Sequence, residues 1–469
     1  MKKLTPYLFG VATLLLAVGG MALVSWLALK PESPLPTNIE PQKADAIAQE
    51  LLQAKCAACH GATPEYNSFI NFFTGGLLRR DITNARRGWK MEGDSTVRSA
   101  LVDYLKMDHV LRTRNMPPTQ YTFVHLGTRL TPQDVALLRL RYPTNGAEAR
   151  RFRVISPVKA GDNLQRAQLG YKLFHDPRLS TTNRVSCSSC HDLGLGGTDN
   201  KPKSEGVPGA DGKPQLGGVN APTVYNAMGH IRQFWDGRAA DLKEQAGGPP
   251  LNPVEMGYSS PEDWQKIIAK LAADDELVAL FAQVYGIQKA EDITADMILE
   301  SIAAFEHTLV TPDSAFDRYL MGDAAALDDD QKAGLQAFVN YGCATCHAGP
   351  ALGGLSFEHI NKKADFRAAH APGYEEGAYG LCDFTKNEEH RDLFRVPTLR
   401  NVALTHPYFH TGAVRKLRDA VRVMFQTQAG VTPSADTLDH VTRFLEAQTG
   451  KVHLVPLDKV KAEDLYPRS

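Results

Sequence analysis

Six of the chain's seven cysteines fall into three copies of one frame, Cys-x-x-Cys-His, and nothing else in the sequence limits the fold so tightly. The copies are Cys56-Ala57-Ala58-Cys59-His60, Cys187-Ser188-Ser189-Cys190-His191 and Cys343-Ala344-Thr345-Cys346-His347. At this content of Cys and His, roughly 0.003 such frames would arise by chance. Thiols three residues apart on one helical turn can each form a thioether with one vinyl group of a haem. The following His then lies beneath the iron with its imidazole toward the metal. A zinc site would pair two Cys-x-x-Cys units in one tetrahedron without a His after each. A thioredoxin-like redox pair would stand alone in a strand–helix context. The residues therefore imply three covalently bound haems c, with His60, His191 and His347 as iron ligands. Cys382 is left over and reads as a buried, unreactive thiol.

A chain of 469 residues exceeds a single core. The intervals between frames leave about one small domain per haem. Apolar residues recur three to four positions apart just before each frame, in 46–52, 167–174 and 331–338, as in a helix laid against a haem. Strand signals are sparse and Gly/Pro loops plentiful. The expected fold is mainly α, with three cytochrome c-like haem domains in tandem after one N-terminal transmembrane helix. The expected boundaries are 1–30 for the membrane anchor, 31–43 for a Pro-rich linker, 44–150 for the N-terminal cytochrome c-like domain, 151–312 for the second haem domain and 313–469 for the third.

The anchor is read from the uncharged, mostly apolar run Tyr7 to Leu29, flanked by Lys2, Lys3 and Lys30. At about 1.5 Å per residue it reaches roughly 35 Å, enough to span a bilayer. A cleaved signal peptide would end its apolar stretch sooner; Ala17-Val18-Gly19 could serve as a cleavage site, but Ala22 to Leu29 continues apolar beyond it. Lys2 and Lys3 stay cytoplasmic, and everything after Lys30 is exported to the periplasm. A formal net charge of −1 gives no reason to expect nucleic acid as a partner.

The sixth iron position separates electron relay from catalysis. For the first haem the candidate is Met116, in Asn115-Met116-Pro117-Pro118, with Met91 and Met107 as rivals. Thioether ligation raises the reduction potential and closes the site. The segment 131–138 then reads as a closing helix.

From about Ala167 to Gly450 the chain resembles the bacterial di-haem cytochrome c peroxidase family. The segments that carry the resemblance include His175-Asp176-Pro177-Arg178-Leu179-Ser180, Gly196-Gly197-Thr198-Asp199 and Asn220-Ala221-Pro222-Thr223-Val224-Tyr225-Asn226-Ala227. Others are Gln233-Phe234-Trp235-Asp236-Gly237-Arg238-Ala239, Glu244-Gln245-Ala246, Pro253-Val254-Glu255-Met256, Thr308 to Ser314 and Leu399 to His410. With the extra haem and the anchor, the whole chain resembles the tri-haem membrane-bound branch, whose members can draw electrons from quinol.

The resemblance implies a peroxidatic haem on His191 and an electron-transferring haem on His347, with Met424 opposite the latter. A related MauG-like oxidase branch places Tyr there, so Met424 argues for a peroxidase. Glu255 and Gln245 match residues above the peroxidatic iron: a carboxylate suited to shuttling a proton, and an amide suited to holding peroxide. Trp235 matches a tryptophan between the two haems. Asn220, Thr405 and Pro407 match oxygen donors of a Ca²⁺ site. Many family members carry a His that blocks the peroxidatic iron; here Val207 falls in its place. The expectation is an iron open or bound to water or hydroxide, with Lys201, Lys203, Lys213 and Tyr225 as weaker substitutes. The expected activity is reduction of hydrogen peroxide with electrons from quinol or a small c-type cytochrome at the bacterial inner membrane. A non-enzymatic multi-haem shuttle is the rival, which would need three six-coordinate haems. Soluble members of the family often form a calcium-stabilised homodimer.

Overall fold

The computed structural model describes residues 41–60, 99–113, 130–141, 151–155, 164–370 and 378–451. The chain divides into two compact units, residues 1–93 with 107–147, and residues 94–106 with 148–469. It is mainly helical. Among the described residues, strands are confined to two antiparallel pairs, Glu205–Pro208 with Pro214–Leu216 and Phe357–His359 with Leu393–Arg395. No helix among them is long and apolar enough to cross a membrane. The apolar run Tyr7–Leu29, Met91 and Met116 lie outside the described residues.

In the first unit the helix Pro41–His60 ends on the first Cys-x-x-Cys-His frame. It begins inside the stretch expected to be an extended linker, because proline at a first helical position gives up no hydrogen bond and already holds a helical φ. Ala48 and Leu52 pack with Met107, Leu111 and Leu138, and Cys56 lies against this core. The helix Pro132–Arg141 is the expected closing helix. Its start is a reciprocal cap: Asp134 Oδ2 accepts from the Thr131 N–H at 2.7 Å, and Thr131 Oγ1 accepts from the Asp134 N–H at 3.1 Å.

The second unit builds one arrangement twice. Helix Leu164–Phe174 precedes the second frame and crosses helix Ala295–Glu306. Helix Asp329–Asn340 precedes the third and crosses helix Ala435–Glu446. A glycine sits at each crossing. A Cβ on Gly170 would lie 1.8 Å from Ser301 O, and one on Gly334 would lie 2.0 Å from His440 O. Each glycine also faces an aromatic one helical turn further along the partner, Phe305 and Phe444. The first lobe's core gathers Leu169, Leu173, Phe281, Ile298 and Phe305, with Cys187 against it. The second gathers Phe316, Phe338, Leu352, Val421 and Phe444, with Cys343 against it. Each such side chain contributes about 1.5–3 kcal/mol on burial.

The two lobes meet at Thr311, which is fully buried. Asn226 of the first lobe donates to Thr311 Oγ1 at 2.9 Å and accepts from the Thr311 N–H at 3.0 Å. Asn401 of the second donates to the same hydroxyl oxygen at 2.8 Å. Both asparagines hold left-handed φ, 62° and 59°, a conformation that Asn tolerates better than most residues.

Candidate active site

Cys187–Ser189 and Cys343–Thr345 form single 3₁₀ turns. In each, the His N–H donates back to the first Cys carbonyl at 3.0 Å. Both cysteines and the His of a frame are thereby held on one side of a tight turn. Burial raises the thiols' pKa, Cys190 to about 11 and Cys343 to about 12, and moves Cys187 up further. They are not poised as thiolates for a metal ion. Burial also lowers both histidines, His347 to about 4, so the imidazoles are neutral.

Each imidazole is aimed by its backbone. His191 Nδ1 lies 3.3 Å from Gly197 O, and His347 Nδ1 lies 3.2 Å from Leu352 O. An Nδ1–H spent on a carbonyl fixes the tautomer and leaves the Nε2 lone pair for a metal. The donor set of two thiols and one oriented neutral imidazole fits a covalently bound haem at both frames. The Gly196-Gly197 pair makes this geometry: φ is 77° and 76°, and a Cβ on Gly197 would press on Thr223, Tyr225 and Val224.

Glu255 stands beside the second frame. Its charge raises the Cys190 thiol's pKa, which places the carboxylate within electrostatic reach of that cysteine. Burial raises the Glu255 pKa, while the Arg238 charge and a hydrogen bond from Asn252 Nδ2 at 2.8 Å pull it back. Asn252 organises the whole loop. Its Oδ1 accepts from the Val254 N–H, and its carbonyl accepts from Met256 and Gly257. Thr181 N–H then donates to Met256 O at 2.9 Å, which ties the loop to the segment entering the frame.

Val207 lies on the strand Glu205–Pro208, buried at 4% exposure, and its N–H donates to Glu255 O at 2.9 Å. A Cβ on Gly206 would meet Val254 O at 2.0 Å, so only glycine allows that strand to lie so close to Glu255. Of the substitutes considered, Tyr225 donates its hydroxyl to Leu193 O at 3.1 Å, and Lys201 and Lys213 face Glu205 and Asp211.

Gln245 is half-buried on the short helix Leu242–Gly247, whose first turn is capped by Asp241. The end of that helix abuts the Phe234 ring at Gly248. Arg238 lies 3.5 Å over the same ring and pairs with Asp236 at 3.1 Å. Phe234 and Arg238 therefore join the Gln245 helix to Glu255.

Trp235, which follows Phe234, packs against the core of the other lobe, as Cys343 does. Its Nε1–H donates to Asn220 O at 2.9 Å, and its ring meets His410 edge-on with centroids 6.2 Å apart. Asn220 also donates from its N–H to His410 O and from Nδ2 to Lys201 O, each at 2.8 Å. Asn200, with its amide nitrogen toward the carbonyls, reaches Leu404 O at 3.1 Å and His406 O at 2.8 Å. Asn220 and the loop of Thr405 and Pro407 thus converge on Asn200-Lys201. Among the described residues no group of three or more His, Cys, Asp or Glu side chains could hold a metal ion.

Met424 ends the helix Leu417–Met424 and is half-buried, and the chain then passes into a π-helical turn, Phe425–Ala429. Such bulges concentrate at functional sites.

Two participants escaped the sequence reading. Asn252 shapes the Glu255 loop, and its only trace is an Asn-Pro turn signal three residues upstream. Glu306 is 3% exposed, has one oxygen without a hydrogen-bond partner, and is raised by burial to about 8. Its charge bears on Cys187. A carboxylate closing the apolar run Ile302-Ala303-Ala304-Phe305 was the available signal.

A mainly helical chain with paired haem-binding lobes defines a class, the multi-haem c-type cytochromes. The comparisons narrow it. The family model for di-haem cytochrome c peroxidase matches residues 164–325, and that for a haem-binding domain matches residues 21–141. Cytochrome c peroxidase Ccp of Escherichia coli (strain K12) is 38% identical over 419 residues, covering 85% of this chain and 86% of that protein. Cytochrome c551 peroxidase of Nitrosomonas europaea is 43% identical over 298 residues, 63% of this chain and 84% of that one. A crystal structure of a MauG-like protein associated with microbial copper homeostasis superposes with a TM-score of 0.54 at 25% identity, covering 64% of this chain and 94% of that chain. The chain belongs to the di-haem cytochrome c peroxidase family and is a haem peroxidase.

Proposed function

We propose that the protein reduces hydrogen peroxide to water, H₂O₂ + 2 e⁻ + 2 H⁺ → 2 H₂O, at the lobe built around His191. The observation that carries this is the half-buried Glu255 carboxyl, held by Asn252 within electrostatic reach of Cys190. Cys187, Cys190 and His191 would hold a haem, which would supply the redox-active iron for this chemistry. The chain itself supplies the proton traffic. Glu255 takes the proton from the near oxygen of peroxide and returns it to the departing one. The Gln245 amide donates a hydrogen bond to the departing oxygen. Val207, buried in its strand, offers no ligand in place of a blocking histidine.

His60 and Met116 would hold a haem in the first module, and His347 and Met424 one in the third; these haems would supply the electron relay to the His191 lobe. Trp235 gives close packing between the lobes and a path across them. The run Tyr7–Leu29 anchors the chain in the inner membrane with the haem domains in the periplasm. A cytochrome donor fits the relatives' names, and a quinol donor fits the anchor. Steady-state oxidation of a reduced quinol and of a reduced small cytochrome separates the two. Asn220, Thr405 and Pro407 offer neutral oxygens to a structural Ca²⁺, within a monomer or a homodimer.

The holoprotein should contain three haems, and sub-stoichiometric peroxide should rapidly reoxidise the reduced form. Glu255→Gln should keep the haem content and lose about 10²–10⁴-fold in peroxide turnover. Unchanged turnover overturns the role of Glu255, and bis-histidine spectra at the His191 site would overturn its openness.

A further inference from the structure

Glu358 occupies the middle of the strand Phe357–His359, and its carboxylate meets the Lys106 ammonium at 2.6 Å, each side chain about a tenth exposed. Seven residues before Lys106, the Ser99 N–H donates to Leu355 O at 2.9 Å, so this stretch is held along the strand at two places. The strand follows closely on the loop that aims His347, whose Nδ1 lies 3.2 Å from Leu352 O, and its last residue, His359, accepts from Gln428 Nε2 in the turn after Met424 at 2.9 Å. The charge of Glu358 also bears on Cys346, where Lys106 and Lys362 oppose it. The pair therefore flanks the third frame.

An exposed ion pair at 2.6 Å would do little, but burial makes each charge act at longer range and makes the loss of either partner costly. Beside a redox centre the two charges act in opposite senses. A carboxylate favours the oxidised, more positive state, and an ammonium disfavours it. Lys106 lies in sequence far from the stretch matched by the peroxidase family, residues 164–325, yet it supplies a buried cation at this frame.

We propose that Lys106 and Glu358 form a charge pair that sets the reduction potential of the haem held by Cys343, Cys346 and His347. Lys106 offsets Glu358, which alone would hold that haem oxidised and slow its reduction by the donor. This rests on the reading that the third frame holds a haem.

The test is a redox titration of the full-chain holoprotein followed by visible absorbance, the relevant component being the one that Met424→His displaces. Lys106→Gln should move its reduced-to-oxidised ratio at fixed potential by about tenfold toward the oxidised form, about 59 mV for one electron. Glu358→Gln should move it by a similar factor the other way, and the double variant should return close to the wild type. Glu358→Gln is nearly isosteric, which keeps the test readable if Lys106→Gln does not accumulate. A component that stays in place in the single variants, with its haem retained, overturns the proposal. Haem content is measured separately in Cys343→Ala/Cys346→Ala. Loss of one haem there upholds the underlying assignment, and an unchanged count overturns that assignment and the proposal with it.

Discussion

Glu255 is pulled in two directions, and the balance decides how the proposed reaction responds to pH. Burial raises its pKa, while Arg238 and Asn252 hold the rise in check. A carboxyl raised in this way keeps its proton to higher pH than an exposed one, yet it must be ionised to accept a proton from peroxide. The value of kcat/KM should therefore fall as pH drops through the raised pKa, and Arg238→Gln should shift that limb to still higher pH. Glu255→Gln should remove the limb altogether; stopped-flow profiles of the three proteins would show it. Glu306 bears on stability instead. Its pKa in the folded chain is about 8 against an ordinary 4.5, so the folded state retains a proton that the unfolded state has released. Stability from this group is full below about 4.5 and declines as pH rises toward 8, by about 1.4 kcal/mol per unit at most. Glu306→Gln, which cannot ionise, should flatten that decline in urea titrations between pH 5 and 8.

At the level of elements, the repeated helix crossing is the most exacting feature. Gly170 and Gly334 let the helix before a frame touch the backbone of its partner, and there is no flexible side chain at the contact to give way. Gly170→Ala and Gly334→Ala should each cost on the order of 1–3 kcal/mol, despite the better helix propensity of alanine. Each should also lower haem retention first in its own lobe; thermal melts and haem quantification of the separate variants check this. The helices themselves were legible, because apolar residues three to four apart precede every frame in 46–52, 167–174 and 331–338. The crossing partners were not, since Gly334 inside a helical pattern looks only like a weak point until the His440 carbonyl is seen beneath it. The frames made haem attachment the direct expectation. The resemblance pointed to Glu255, but its neighbours Arg238 and Asn252 gained meaning only from the fold. Val207 read as a missing ligand; its burial on a strand pressed against Glu255 depends on Gly206, whose need for glycine arises from a contact nearly fifty residues away.

On the scale of the whole molecule, Thr311 is one buried polar node that joins the two lobes of the second unit. Thr311 Oγ1 accepts from Asn226 of one lobe and from Asn401 of the other. Both asparagines are almost wholly buried, so water cannot replace a lost partner. Thr311→Val preserves shape but removes the shared acceptor and strands two amide donors. A buried donor left unpaired costs about 1–3 kcal/mol, so the variant should lose roughly 2–4 kcal/mol. The Asn226 Oδ1 bond to the Thr311 backbone survives the change, and each asparagine keeps other contacts, including the Gly450 N–H that donates to Asn401 Oδ1. Each lobe should therefore keep its haem, and the loss should fall on how the lobes are held together. Because Trp235 leaves the Phe234–Arg238 neighbourhood of one lobe and packs against the core of the other, loosening the node should disturb that passage. The expected signature of Thr311→Val is normal haem content, a lower urea midpoint, and slower electron transfer between the lobes after rapid mixing with peroxide. A variant destabilised by this amount but with wild-type transfer kinetics would show that the node serves folding alone and that Trp235 is fixed by its own bonds, Nε1–H donating to Asn220 O and its carbonyl accepting from the Arg395 N–H at 2.9 Å.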